Sequence, residues 1–234
     1  HLNMASFKQY IDFIFSEDRI QNDLIHMLAV VSTNKTDFFR EPVHFEFLEK
    51  NFLPEYVEQF TLNRPVNIWS AGCSSGEEVY TIAMTIAEFK KNHPGLDYAI
   101  LGTDISTDIL QKAVNAIYKE EKVNRMPLDL KKKYLLKSKD QSKKLIRIVP
   151  ELRNKASFKR LNFMDDTYKL NDTFDVIFCR NVLIYFNRET QEEVINKLVL
   201  KLRKGGYFFI GHSESIMGMD VPLTQVQPTI FKRQ

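Results

Sequence analysis

Cysteine is nearly absent: Cys73 and Cys179 are the only two in 234 residues, each inside an apolar, strand-like stretch. Buried free thiols are expected, and neither a disulfide framework nor redox chemistry is suggested. The five histidines, His1, His26, His44, His93 and His212, are scattered without the short spacings of a metal-binding motif, so no metal is expected. No apolar run reaches the ~20 residues of a membrane-spanning helix, and the N-terminus lacks the charged, apolar, small-residue order of a secretion signal. A cytoplasmic protein without membrane insertion is therefore expected. The net charge of +3 is too small to imply nucleic acid. Its distribution is uneven, because Lys131, Lys132, Lys133, Lys137, Lys139, Lys143 and Lys144 crowd one stretch. Such a strip is first a solvated surface and only second a partner site.

What is present suits a soluble protein with one large domain: 44% of residues are hydrophobic and 27% charged. There is no internal repeat. From Phe7 to Val30 apolar residues recur at helical spacing with a break near Ser16, which predicts two helices. Residues 1–33 are read as an N-terminal helical segment, shortened at an abrupt His1, and 34–64 as a connecting segment with a helix over Pro42–Tyr56. Beyond Arg64-Pro65 the period changes. Val66–Ala71 reads as a strand, Gly72–Gly76 as a tight turn and Glu77–Lys91 as a helix. Tyr98–Thr103 and Asp108–Tyr118 repeat the pair, and Phe174–Cys179, Glu189–Arg203, Gly206–Ile210 and Thr229–Lys232 continue it. The fold class is α/β, a Rossmann-like doubly wound and mainly parallel sheet over 65–234. Asn124 to Lys159 breaks the alternation and reads as a small antiparallel β insertion, about 124–160.

The loop Ser70-Ala71-Gly72-Cys73-Ser74-Ser75-Gly76-Glu77-Glu78 lies where the first strand of an open sheet meets its helix, a place where ligands bind. Its Gly-x-x-x-Gly spacing differs from the Gly-x-Gly-x-x-Gly that seats a pyrophosphate. Glu77 and Glu78 would repel a phosphate and suit a cation, and S-adenosylmethionine is a cation. Acids also favour helix starts for structural reasons alone. Asp104, 26 residues after Glu78, stands where an acid accepts bonds from ribose hydroxyls, or simply caps a turn. Arg180, Asn181 and Tyr185 end the strand at Cys179 with a polar cluster that needs a partner.

Together these segments resemble the chemotaxis methyltransferases of the CheR family. Asn34-Lys35-Thr36-Asp37-Phe38-Phe39-Arg40-Glu41 looks like that family's Asn-x-Thr-x-Phe-Phe-Arg signature, and Trp69–Tyr80 like its Trp-Ser-Ala loop ending Gly-Glu-Glu. Phe174–Phe186 and Gly211-His212-Ser213-Glu214 match as well, so four motifs fall in order from Asn34 to the C-terminus. Val79 replaces a usual proline at the helix start, which costs rigidity and spares the contacting side chains.

The resemblance implies S-adenosyl-L-methionine as cofactor and S-adenosylhomocysteine as product. It further implies methyl transfer to glutamate carboxylates on the cytoplasmic domain of methyl-accepting chemotaxis receptors, by a monomer. By position it places Asn34, Thr36, Arg40, Glu78, Asp104, Asn162, Phe163, Arg180 and Asn181 at the cofactor, with Phe163 standing where leucine is usual. Arg40, Arg180 and Tyr185 are the expected catalytic residues. The insertion resembles the family's receptor-contacting subdomain, though the turn Ser138–Lys144 lacks glycines associated with docking a receptor-tail peptide. A nicotinamide oxidoreductase lacks its phosphate loop here, and a nucleic-acid methyltransferase lacks Pro-Pro-Tyr or Pro-Cys. A degenerate member that binds cofactor or receptor without turnover is the alternative.

Overall fold

Strand segments that are apolar on both faces need cover on both sides, and the chain gives such segments the centre of a sheet. A computed structural model describes residues 36–59, 64–124 and 126–234. The expected helices of Phe7–Val30, and Asn34, lie outside these residues. The strands are β1 (Val66–Ala71), β2 (Tyr98–Asp104), β3 (Ile117–Lys119), β4 (Leu135–Lys137), β5 (Leu145–Ile148), β6 (Ala156–Arg160), β7 (Phe174–Cys179), β8 (Leu202–Ile210), β9 (Leu223–Gln227) and β10 (Ile230–Arg233).

Seven of them form one sheet in the order β6-β2-β1-β7-β8-β10-β9. The first five run parallel, and β10 enters antiparallel to both β8 and β9. Strand order reverses at β1, which pairs with β2 on one side and β7 on the other. A crevice therefore opens beyond the carboxyl ends of β1 and β7, because the crossovers from these two strands leave in opposite directions.

Side-chain alternation divides the interior into two cores. Ile68, Phe178 and Phe209 face one side, and Trp69, Ile177 and Phe208 the other. The first side is covered by α1 (Val43–Phe47), a π turn (Leu48–Phe52), α2 (Leu53–Gln59) and α3 (Glu77–Lys90). The second is covered by α7 (Arg188–Val199), whose Val194, Ile195, Leu198 and Val199 are buried. In sequence between α3 and α7 come α4 (Thr107–Asn115), α5 (Leu128–Tyr134) and α6 (Pro150–Arg153), which add Leu110, Leu130 and Leu152 to the first core. Asp175, an acid inside the otherwise apolar β7, is held by two bonds from Arg64 at 2.7 and 2.9 Å and by the Asn67 N–H at 2.9 Å.

The insertion differs from its expected limits. The α4 helix ends at Asn115 and Ala116 turns left-handed (φ 53°), so the chain is already in β3 at Ile117. Strands β3, β5 and β4 form a separate three-stranded antiparallel sheet. Ala156–Arg160, placed in the insertion by sequence, pairs with β2 as an edge strand of the main sheet. Its side chains are mostly half-buried or exposed, so it has no apolar run to mark it.

Candidate functional site

Gly72 and Gly76 take φ values of 81° and 94°, and Ser74 between them 49°, so the backbone curls back at the end of β1. A side chain on Gly76 would meet Ala113 Cβ at 2.9 Å, so only glycine lets α4 approach the loop. Asp104, at the end of β2, clasps this loop by accepting the Ser74 N–H and the Ser106 N–H, each at 3.0 Å. Two acceptances leave lone pairs on the carboxylate, which has about four. Burial pushes its pKa up.

Glu78 opens the first turn of α3 and accepts a bond from the Ser70 hydroxyl at 2.7 Å. Its other oxygen takes Arg180 Nη1 at 2.9 Å. Burial raises the Glu78 carboxyl above its ordinary range, and Arg180 and Ser70 offset only part of that. Arg180 follows β7 with a side chain only 2% exposed. Its remaining donors go to the connecting segment: Nη2 to the Arg40 carbonyl and, at 3.0 Å, to Glu41 Oε2, with Nε 3.4 Å from the same oxygen. The guanidinium thus ties sheet, glycine-loop helix and connecting segment together.

Glu41 also accepts from Asn181 Nδ2 and from the His212 N–H, both at 3.3 Å. Burial alone would raise its pKa. Arg180 and these donors outweigh it, so Glu41 lies below the usual carboxylate range. Asn181 is left-handed (φ 59°), and its N–H is accepted by Glu214 at 2.9 Å. Glu214 also takes the Leu183 N–H at 2.8 Å and the Gly211 N–H at 2.6 Å, so one carboxylate holds the ends of β7 and β8.

Of the expected site residues, Glu78, Arg40, Arg180 and Asn181 meet in this network, and Asp104 lies beside it on the glycine loop. The backbone carbonyl of Thr36 takes Lys122 Nζ at 2.6 Å, and Lys122 also approaches Glu77 at 3.6 Å, which brings Thr36 near the start of α3. Asn162 caps its own turn by accepting the Met164 N–H at 3.0 Å. Phe163 packs edge-on to Tyr168 and Phe186, each at 6.3 Å between ring centres. Tyr185 sits on a short helical turn after β7 and is about half exposed. Glu41 and Glu214 stand in motifs quoted above, yet neither was expected in the site. Only their partners reveal them, since an acid beside an arginine in sequence says nothing of which cation it meets.

A second concavity of about 250 Å³, lined among others by Glu55, Arg203 and Lys232, lies at the amino ends of β7 and β8. Its charges pair internally, as in Lys232–Glu55 at 2.6 Å, and it faces away from the acids of the loop.

Strand order, a switch-point crevice and an acid-lined glycine loop define a Rossmann-like methyltransferase domain. The chain belongs to the CheR family: the CheR methyltransferase, SAM binding domain matches residues 34–231. A chemotaxis protein methyltransferase of Borreliella burgdorferi is 40% identical over 237 residues, covering 99% of this chain and 82% of that protein. Chemotaxis protein methyltransferase 2 of Pseudomonas aeruginosa is 34% identical, covering 98% and 79%, respectively. That of Escherichia coli is 32% identical, covering 98% and 77%. The cofactor is S-adenosyl-L-methionine, and the pocket fits it. Two half-buried acids, Glu78 and Asp104, suit its positive charge, and the Ser74 hydroxyl in the glycine loop has no protein partner.

Proposed function

We propose that the chain transfers the methyl group of S-adenosyl-L-methionine to glutamate side chains on the cytoplasmic domain of methyl-accepting chemotaxis receptors, leaving S-adenosylhomocysteine and a glutamate methyl ester. The observation that carries this reading is the Arg180 junction, which joins the cofactor-side acid Glu78 to the Arg40-Glu41 signature. The names of the relatives support chemotaxis as its setting.

The bound cofactor supplies an electrophilic methyl group on a sulfonium. A glutamate carboxylate is ionised at neutral pH, so no side chain has to remove a proton from it. Catalysis then rests on orientation, which supplies several kcal/mol when reacting atoms are held near ~3 Å. Asp104 takes the ribose hydroxyls, and Asn162 and Phe163 flank the adenine. Thr36 and Asn181 complete the pocket. The two arginines divide the work. Arg180 is buried with every nitrogen engaged, so it shapes the pocket and does not grip the nucleophile. Arg40 is exposed and steers the incoming carboxylate, and Tyr185 orients it by hydrogen bond. The exposed lysines of α5 and the insertion, Lys132, Lys133, Lys137, Lys139, Lys143 and Lys144, suit an acidic receptor surface.

The test is transfer of labelled methyl to a purified receptor cytoplasmic fragment, with base-labile release of methanol as the signature of an ester. Tyr185→Phe should lower kcat while leaving the affinity for S-adenosylhomocysteine unchanged. Tight cofactor binding with no turnover on any receptor fragment would instead select the degenerate, binding-only reading.

A further inference from the structure

Beside the Arg180 junction, Glu41 and His44, three residues apart on the connecting segment, meet His212 from the end of β8. His44 Nδ1 lies 3.6 Å from Glu41 Oε2, His212 Nε2 lies 4.0 Å from the same oxygen, and all three atoms fall within 4.8 Å of one another. His44 is fully buried, and its Nδ1 has no hydrogen-bond partner.

The state of His44 follows from its other nitrogen. Nε2 lies 2.7 Å from Thr229 Oγ1, and that hydroxyl donates its proton to the Pro228 carbonyl at 2.6 Å. With that proton on the carbonyl, the hydroxyl accepts from His44 Nε2, the tautomer that leaves a lone pair on Nδ1. Thr229 has φ 63°, a costly conformation for a β-branched residue. A strained backbone thus presents the hydroxyl that sets this tautomer. The result is a buried lone pair aimed at a carboxylate, with an imidazole beside them. Neutral imidazole is the form that binds metals.

We propose that Glu41, His44 and His212 form a binding site for a zinc-class divalent cation, with a fourth position open to water. Two imidazoles and one carboxylate are a donor set that zinc accepts. The hydrogen bond from the far nitrogen of a liganding histidine to an oxygen acceptor is the usual support for such a ligand, and Thr229 provides it. Donors about 2.0–2.2 Å from a tetrahedral zinc stand about 3.3 Å apart. Closure therefore asks for shifts of a few tenths of an ångström to about 1.5 Å, which the His212 side chain, 54% exposed, can supply. A cation here draws on the lone pairs of Glu41 that Arg180 uses, so occupancy weakens the Arg180–Glu41 pair and slows methyl transfer. That consequence rests on the methyltransferase reading; binding itself does not.

The test is calorimetric titration of the whole chain with Zn²⁺ alone, followed by Co²⁺ with visible absorption as a report on coordination. The expected result is one equivalent bound, with an intense Co²⁺ band of low coordination number. His212→Ala, an exposed change that leaves the core intact, should weaken binding by about tenfold or more. His44→Ala should abolish it; if that variant fails to fold, the His212→Ala comparison decides alone. No stoichiometric binding by the parent chain, or unchanged binding in His212→Ala, would overturn the proposal.

Discussion

Arg180 closes on Glu41 across 139 residues of sequence, with Nη2 at 3.0 Å and Nε at 3.4 Å from one carboxylate oxygen. Its side chain is 2% exposed and that of Glu41 12%, so the pair is largely desolvated and water is a poor substitute for either partner. Arg180→Ala would strand Glu41 and Glu78 as neighbouring, largely desolvated acids. We expect a loss of about 3–5 kcal/mol in denaturant unfolding. Arg40→Ala, at an exposed position, should cost clearly less stability than Arg180→Ala and act on the receptor KM. Equal stability losses in the two variants would contradict the division of labour drawn above.

Gly211 touches Asn181 so closely that any side chain at 211 would overlap the Asn181 amide and come within 2.9 Å of its backbone nitrogen. Gly211→Ala should therefore push Asn181 out of the network. The expected cost is about 1–3 kcal/mol in stability, as for other overpacked sites. Cofactor affinity, read by calorimetry, should fall with it.

Glu214 accepts three backbone N–H groups through two oxygens. Glu214→Gln keeps the shape and replaces one oxygen by a donor, which leaves at least one buried N–H facing another N–H. The expected loss is about 1–3 kcal/mol. Crystals of the variant should show the turn at Leu183–Tyr185 displaced, and kcat should drop more than cofactor affinity.

Cofactor binding should depend on acidity in a stated direction. Burial raises the Glu78 and Asp104 pKa values, so these groups take up protons sooner than ordinary carboxyls as pH falls. Protonation removes the charge that attracts a sulfonium. The affinity for S-adenosylmethionine should therefore weaken as pH falls below neutral. S-adenosylhomocysteine, which lacks the sulfonium charge, should weaken less over the same range. Calorimetry across this range with both compounds checks it.

Folding responds to the same acids with opposite signs. A raised pKa means that the folded state binds the proton more tightly, so Glu78 and Asp104 favour the folded apoprotein as pH falls. Glu41, whose pKa is lowered, contributes stability above its unfolded value, and this is lost as pH drops through its folded value. Substituting Glu41→Gln should accordingly flatten the acid limb of the stability curve, measured by chemical denaturation at successive pH values.

Much of the frame was legible in the chain itself. The strands at Val66, Tyr98 and Phe174 announced themselves because both their faces are apolar, and the helix after Gly76 because acids and small residues mark its start. The strand at Ala156 was hidden, since an edge strand with exposed side chains has no apolar period. The strand at Leu223 was hidden for the same reason. The helix expected to run to Tyr118 stopped at Asn115, because Ala116 leaves the helical region to begin a strand, and nothing in an alanine signals that.

The site shows the same division. Residue type and order were enough to indicate an acid-lined loop, an acid at the end of the second strand and a polar strand end, because these depend on chemistry local to one turn. The meeting of Glu41 with Arg180, the three N–H groups gathered by Glu214, and the convergence of His44 and His212 depend on strand order. Sequence alone determined which side chains could carry charge, hydrogen bonds or apolar cover. Only the tertiary structure decided which of them share one desolvated volume, and there the low dielectric gives each pairing its strength.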